Sequence, residues 1–309
     1  MTTLRLGSRG SHLALFQARL VAERIQAAGG PVCEIVVIKT SGDQLQERPL
    51  SELGGKRLFV KEIEDALLGG NIDLAVHSSK DMSAVLPDGL EVGAVLERED
   101  PRDVLVLPHN PTPTAQGPEP APRIGTGSVR RIAQLKKRFP DADFLNVRGN
   151  LDTRLRKLDH GEYDLLVLAS AGLRRLGFGA RISVSLSIEE CVPAPGQGII
   201  AIEIRSDDAA TRDAVARVND AAAARALKAE RAVVTALGGG CQMPIGAIAV
   251  PVGDAELEMH AVVASLDGSR IIRYKKMGAR TDASALGRQV AEELLKQGAA
   301  DILREAGNT

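Results

Sequence analysis

Arginine recurs at positions where an α/β fold could use it. Arg9-Gly-Ser11 opens a helical pattern, and Gly125-Thr-Gly-Ser128-Val-Arg130-Arg131 opens another. Arg148-Gly-Asn150 closes a strand-like run, and Arg154 follows one helical turn later. Any one of these reads as a solvated residue at a helix start. Together, in corresponding positions of one fold, they read as guanidinium forks around a crevice. That arrangement suits a ligand with many carboxylates or phosphates, because each fork can take an oxyanion bidentately. The neighbouring Gly and Ser residues can offer backbone N–H groups to the same anion.

Three other segments carry possible chemistry. His77-Ser-Ser-Lys80-Asp81 follows a strand-like run. A carboxylate there, beside Lys80, could offset a cationic intermediate or accept from a ring N–H, and it could equally be a turn residue paired with Lys80. His77 reads as a satisfied sheet-end histidine rather than a base. Leu237-Gly-Gly-Gly-Cys241 presents a thiol on a glycine-rich stretch after a helix. A nucleophile, a small buried hydrophobe and a covalent anchor all remain open for Cys241. Lys56, on the Gly54-Gly55 pair after a polar stretch, reads as part of a lid or as an ordinary helix start. No P-loop or dinucleotide fingerprint is complete, so no nucleotide cofactor is expected.

The elements that must position these residues alternate. Strands are predicted at Leu4 to Gly7, Ile35 to Lys39, Asp73 to His77, Asp103 to Leu107, Phe144 to Val147, Asp164 to Leu168 and Ile199 to Ile204. Helical periods lie between them, as in Leu13, Phe16 and Leu20 or Leu151, Leu155 and Leu158. This is an α/β pattern with a mostly parallel sheet. Charged Glu97 to Arg102 and Pro/Gly-rich Cys191 to Gly198 read as crossings, by which the chain leaves one lobe, builds a second and returns. After Asp220 comes an Ala-rich helix to Leu237, then strands at Ile245 to Val250, Leu257 to Ala264 and Arg270 to Lys275, then a closing helix from Ala283. That is a small α+β domain with an antiparallel sheet. The expected limits are 1–97 with 197–216 for the first domain, 102–191 for the second and 220–309 for the third.

Composition narrows the classes. The 39 Lys and Arg residues balance 40 Asp and Glu in 309 residues, so no bulk basicity exists for nucleic acid. Two Tyr, five Phe and no Trp require an aliphatic core and provide no stacking platform. Three cysteines without a CxxC pair indicate neither a disulfide framework nor a zinc ribbon. No membrane span or secretory signal is visible. A cytoplasmic, metal-independent monomer without nucleic-acid or membrane partners is expected. Pro108 to Pro122 holds six of the 15 prolines and reads as an exposed loop.

In order and spacing, several segments resemble the hydroxymethylbilane synthase, or porphobilinogen deaminase, family. They are Arg9 to Gln17, Gly55-Lys-Arg-Leu-Phe-Val-Lys-Glu62, Ala75-Val-His-Ser-Ser-Lys-Asp81 and Gly125 to Arg131. Val147-Arg-Gly-Asn150, Leu168-Ala-Ser-Ala-Gly-Leu173, Pro193 to Gly198 and Gly239-Gly-Cys-Gln-Met-Pro-Ile-Gly246 continue the series. The resemblance implies two periplasmic-binding-protein-like α/β domains plus the C-terminal α+β domain. It implies a dipyrromethane held by Cys241 through a thioether, onto which four porphobilinogen molecules condense with loss of ammonia before water releases a linear tetrapyrrole. Asp81 would be the catalytic carboxylate, facing an azafulvene and a cationic pyrrole at each step. Lys80, Ser128, Arg130 and Arg131 would hold the cofactor's carboxylates, and Arg9, Ser11, Arg148, Arg154 and Arg175 those of the substrate. Lys56 would belong to a lid. Glu52, where the family often has Lys, removes one lid contact. The alternative is a non-enzymatic two-lobed protein that binds or senses a polyanion.

Overall fold

The computed structural model describes residues 3–41, 60–109, 121–239 and 243–307. Three sheets organise them. The first contains β1 (Leu4–Ser8), β2 (Cys33–Val37), β3 (Leu74–Ser78), β4 (Leu90–Val95) and β10 (Ile200–Arg205), in the order β2-β1-β3-β10-β4. The second contains β5 (Asp103–Val106), β6 (Arg123–Gly125), β7 (Asp143–Leu145), β8 (Leu165–Ala169) and β9 (Val184–Ser185), in the order β7-β6-β8-β5-β9. The two are wound alike. In each, a strand that has just crossed from the other lobe inserts antiparallel between the third and fourth native strands. Four of the five strands in the first sheet therefore share a direction, as the α/β pattern requires.

The helices sit where apolar period and capping coincide. Ser11 caps α1 (His12–Ala27), accepting from the Ala14 amide at 3.3 Å. Ala18, Val21 and Ile25 of α1 pack on Leu6, Leu74, Val76 and Ile202 of the first sheet. Further along run α2 (Lys61–Leu68), α3 (Val129–Leu135), α4 (Leu151–Asp159), α5 (Ser170–Arg175) and α6 (Ala209–Ala216). The largest fully buried side chains are Leu and Ile, in keeping with the scarcity of aromatics.

The third sheet is antiparallel: β11 (Ile245–Val252), β12 (Glu256–Ala264) and β13 (Ile271–Ala279), joined at Gly253 and Gly268 with φ of 52° and 72°. One face is covered by α7 (Ala221–Ala236) and α8 (Ala283–Lys296). The small residues of α7 let the helices close in: a Cβ at Gly287 would lie 2.2 Å from the Ala229 carbonyl oxygen. The single predicted closing helix is in fact two, because Gly298 at φ 96° breaks it before α9 (Ala299–Gly307).

The crossings are laced together. Leu96 N donates to Ile200 O and Glu99 N to Gly198 O, both at 3.0 Å, and Gln197 Nε2 reaches Pro101 O at 2.6 Å. Gly198 adopts φ +88°, and a Cβ there would meet Glu99 O at 2.3 Å. Glu230 of α7, with no exposed surface, ties this joint to the third body. It accepts from Arg98 at 2.6 and 3.2 Å, from Gly196 N at 2.7 Å and from Ala249 N at 2.9 Å. All its acceptor sites are thereby engaged. Glu230→Ala would strand a largely buried guanidinium and two amides, and is expected to destabilise the fold by about 3–5 kcal/mol. Chemical denaturation checks this, and a loss under about 1 kcal/mol would show that the joint does not depend on Glu230.

Candidate active site

Asp81 sits on a single 3₁₀ turn, Ser79–Asp81, directly after β3. The three residues before Lys80 are fastened to three different places. His77 Nε2 lies 2.9 Å from Glu203 Oε2 of β10, and both side chains are buried. Ser78 Oγ and the Gln17 amide of α1 are within hydrogen-bond distance. Ser79 N donates to Ile199 O at 2.9 Å. His77 is thus the satisfied sheet-end histidine that its position suggests. Lys80 and Asp81 emerge from a pinned base, Asp81 exposed and Lys80 half-buried.

From the second lobe come α3 and the segment after β7. Ser128 is the N-cap residue of α3. Arg130 and Arg131 are nearly fully buried and turn toward Asp103, the first residue of β5. Arg130 Nη1 donates to Asp103 Oδ2 at 2.7 Å and to Val192 O at 2.6 Å. Arg131 donates through Nε and Nη2 to Asp103 Oδ1 at 2.9 and 2.7 Å, and through Nη1 to Val167 O. Burial alone would raise the Asp103 pKa, but the two guanidinium charges and the bonds from Arg130 and Gln197 hold it well below the usual carboxylate range. The family resemblance places both forks at the cofactor's carboxylates. Much of each is instead committed to a carboxylate that could not otherwise be buried.

Arg148 is half-buried, and Gly149 beside it has φ +102°. That turn sends Asn150 into the N-cap of α4, and Arg154 Nε donates back to Gly149 O at 2.8 Å. Charge interactions join the two lobes into one cluster. The Lys80 ammonium feels Asp81, Arg131, Asp103 and Arg130, and Arg154 feels Arg131, Asp81 and Arg148. Desolvation, reinforced by neighbouring arginines, draws Lys80 down to about 8 and Arg154 to about 10. Lys80 keeps some solvent access, yet enough protein surrounds its ammonium for desolvation to dominate.

Other expected residues lie around this centre or apart from it. Arg9 and Ser11 stand at the start of α1, where His12 Nδ1 approaches Asp152 Oδ2 of α4 at 3.4 Å across the lobes. Arg175 is not part of the Asp81 cluster: it donates to Gly198 O at 2.6 Å and feels Glu99. Cys241, Lys56 and Glu52 lie outside the described residues, as does most of the proline-rich segment. Sequence reasoning passed over Gln17, Asp103, Gln197 and Glu203. Gln17 and Gln197 stood inside the Arg9 to Gln17 and Pro193 to Gly198 segments, and no signal marked Asp103 or Glu203.

Two like-wound lobes joined by a double crossing, with a carboxylate set among cations contributed by both, define a two-lobed α/β protein with a cation-rich site. Comparison with known proteins is specific. Residues 4–213 match the model of the porphobilinogen deaminase dipyromethane cofactor binding domain, and residues 224–296 match that of the porphobilinogen deaminase C-terminal domain. The porphobilinogen deaminases of Syntrophobacter fumaroxidans and Moorella thermoacetica are each 46% identical over 306 residues, covering 98% and 99% of this chain and 97% of each relative. Among solved structures, the periplasmic VFT2 domain of Bordetella pertussis BvgS aligns with a TM-score of 0.40 at 15% identity, over 70% of this chain and 86% of that one. The chain belongs to the porphobilinogen deaminase family.

Lys80 gives the cluster a pH dependence. Below about 8 it is protonated and adds a cation, and as pH rises through that value the charge is lost. Affinity for a tricarboxylate probe such as citrate is therefore expected to fall about fivefold between about pH 7 and about pH 9, the worth of one screened ion pair. In Lys80→Met that step should vanish. An equal step in the variant, by calorimetric titration, would assign it to another group.

Proposed function

We propose that the chain is a hydroxymethylbilane synthase, a transferase that condenses four porphobilinogen molecules head to tail, with loss of ammonia, on a dipyrromethane attached to Cys241. The observation that carries this is the Asp81 cluster within a chain of this family. Porphobilinogen brings two carboxylates and an aminomethyl group that must leave as ammonia. Asp81, the exposed carboxylate of the cluster, can accept from the pyrrole N–H and offset the positive charge that develops as the amine departs. Arg148 and Arg154, with Arg9 and Ser11 at the start of α1, would take the acetate and propionate side chains and orient the ring for attack. Arg175 is assigned to substrate on the family pattern alone.

The described residues suit a carboxylate-rich cofactor. Lys80 and Arg154 are both depressed by burial and by neighbouring cations, and Asp103 is already spent on Arg130 and Arg131. Cations are thus crowded beyond the carboxylates that serve them. Lys80, Ser128 and Arg131 would hold such a group, and Arg130 would act mainly by holding the start of α3 against Asp103. Bound at Cys241, the dipyrromethane would supply the pyrrole end on which the product is built. In the same reading the protein is a cytoplasmic monomer, and its domains are 1–97 with 197–216, 102–191 and 220–309. The balanced charge supports the absence of a nucleic-acid partner. Among the described residues no helix is long and apolar enough to cross a membrane.

The test is the intact mass of the denatured protein, with peptide mapping around Cys241. An excess of two linked pyrrole units on that cysteine is expected. A Cys241 that stays unmodified after incubation with porphobilinogen would overturn the reading. Asp81→Ala should lower turnover at least about a hundredfold, the scale of a lost transition-state charge interaction, while the attached pyrroles remain. Near-normal turnover in that variant would remove Asp81 from the mechanism.

A further inference from the structure

A groove of about 830 Å³ is walled by residues next in sequence to those that pin the catalytic turn, Phe16 beside Gln17 and Ile200 beside Ile199. Its walls are the Phe16, Leu20 and Arg24 face of α1, the first crossing from Leu96 to Glu99, Arg174 and Arg175 of α5, Ile200, and the connection from Arg217 to Asp220. Hydrogen bonds link its walls to the Asp81 turn. Ser79 N is bonded to Ile199 O, and the preceding Gly198 carbonyl takes Arg175 Nη2 at 2.6 Å. Phe16 on the groove wall precedes Gln17, which holds Ser78.

The groove is rich in uncommitted cations. Arg24 and Arg217 are exposed, and among the described residues neither side chain has a hydrogen-bonding or ion-pairing partner. Arg175 carries a carbonyl rather than a carboxylate, and burial draws its pKa down to about 10. Arg98, by contrast, is spent on Glu230. Of the wall's carboxylates, Glu97 remains, Glu99 lies 3.9 Å from Arg174, and Asp220 caps α7. Partly exposed Phe16 and Leu20 add apolar surface to the same wall, which suits a body of flat rings edged with carboxylates.

The need for a second site follows from counting charges. Around Asp81 the forks of Arg130 and Arg131 are largely taken by Asp103, so the cations assigned above to the ligand are Lys80, Arg9, Arg148 and Arg154 with what remains of Arg131. Each pyrrole added brings two more carboxylates, so a lengthening chain soon outnumbers them. We propose that the groove is a second anion site, which receives the carboxylate side chains of the growing chain once the cluster around Asp81 is filled. This rests on the function proposed above. Arg24 and Arg217 at its rim would contribute to late additions and not to the first.

The test uses the full-length holoprotein mixed with limiting porphobilinogen, with native mass spectrometry resolving complexes that carry one to four added units. In Arg24→Gln, Arg217→Gln and the double variant, the first addition should proceed within about twofold of normal. Formation of the complexes carrying three and four units should slow about three- to tenfold, as expected for weakened charge-assisted contacts. Hydrogen exchange gives an independent readout in the unaltered protein, where amides of 20–28 and 217–220 should be protected in late complexes and not in early ones. An unchanged ladder, a uniform slowing of every step, or equal exchange at all stages would overturn the groove assignment. If the unaltered protein builds no ladder, the proposed function itself falls.

Discussion

Two carboxylates removed from water, Asp103 and Glu230, set the geometry on which everything else depends. Each is fully buried and each is satisfied only by groups from distant parts of the chain. Asp103 gathers the start of α3 and Gln197 of the return crossing, while Glu230 gathers Arg98, Gly196 and Ala249. A buried charge without such partners would cost several kcal/mol, so these contacts must form together. They fix where the second lobe's arginines stand relative to the turn that carries Lys80 and Asp81. The joint is also where the third body attaches, through β11 and α7.

The chemistry of the site comes from an imbalance held in place by that joint. A protein of balanced charge sets several cations around Asp81 and uses the buried Asp103 to support only some of them. The remaining cations share the single carboxylate of Asp81, and burial keeps Lys80 and Arg154 from being fully hydrated. A ligand with several carboxylates relieves that condition, and a single exposed carboxylate among the cations can serve a positive centre that forms only during reaction. In the proposed function, binding and catalysis therefore draw on the same electrostatic arrangement with opposite signs.

Much of this was legible in the order of residues, though unevenly. Leu4 to Gly7, Asp103 to Leu107, Asp164 to Leu168 and Ile199 to Ile204 announce strands because β-branched and aliphatic runs are bounded by charged or glycine-rich breaks. β6 and β9 did not, being three and two residues long. β4 contains Gly93 and runs straight into a charged break, which masked its apolar alternation. Most arginines of the site were visible because they follow a strand or open a helix, and Arg154 because it lies one helical turn beyond Arg148-Gly-Asn150. Asp103 and Glu230 were not. One looks like the polar first residue of a strand, and the other stands in Lys228-Ala-Glu230-Arg231, a sequence that reads as a solvated helix face. Their burial is imposed by Arg130 and Arg131 in one case and by Arg98 in the other, more than 25 and 130 residues away.

The exchange of strands between lobes also bears on how the chain matures on the ribosome. The second sheet is assembled entirely from strands between Asp103 and Ser185, so it can close as soon as that stretch has emerged. The first sheet cannot. Between β3 and β4 it has a vacancy that only Ile200–Arg205 fills, and those residues are made after the whole second lobe. Until then the opening stretch of the chain carries two unpaired strand edges and half of the buried His77–Glu203 pair. The first lobe to be synthesised is thus the later of the two to be completed, and the crossing that joins the lobes also ends its exposure.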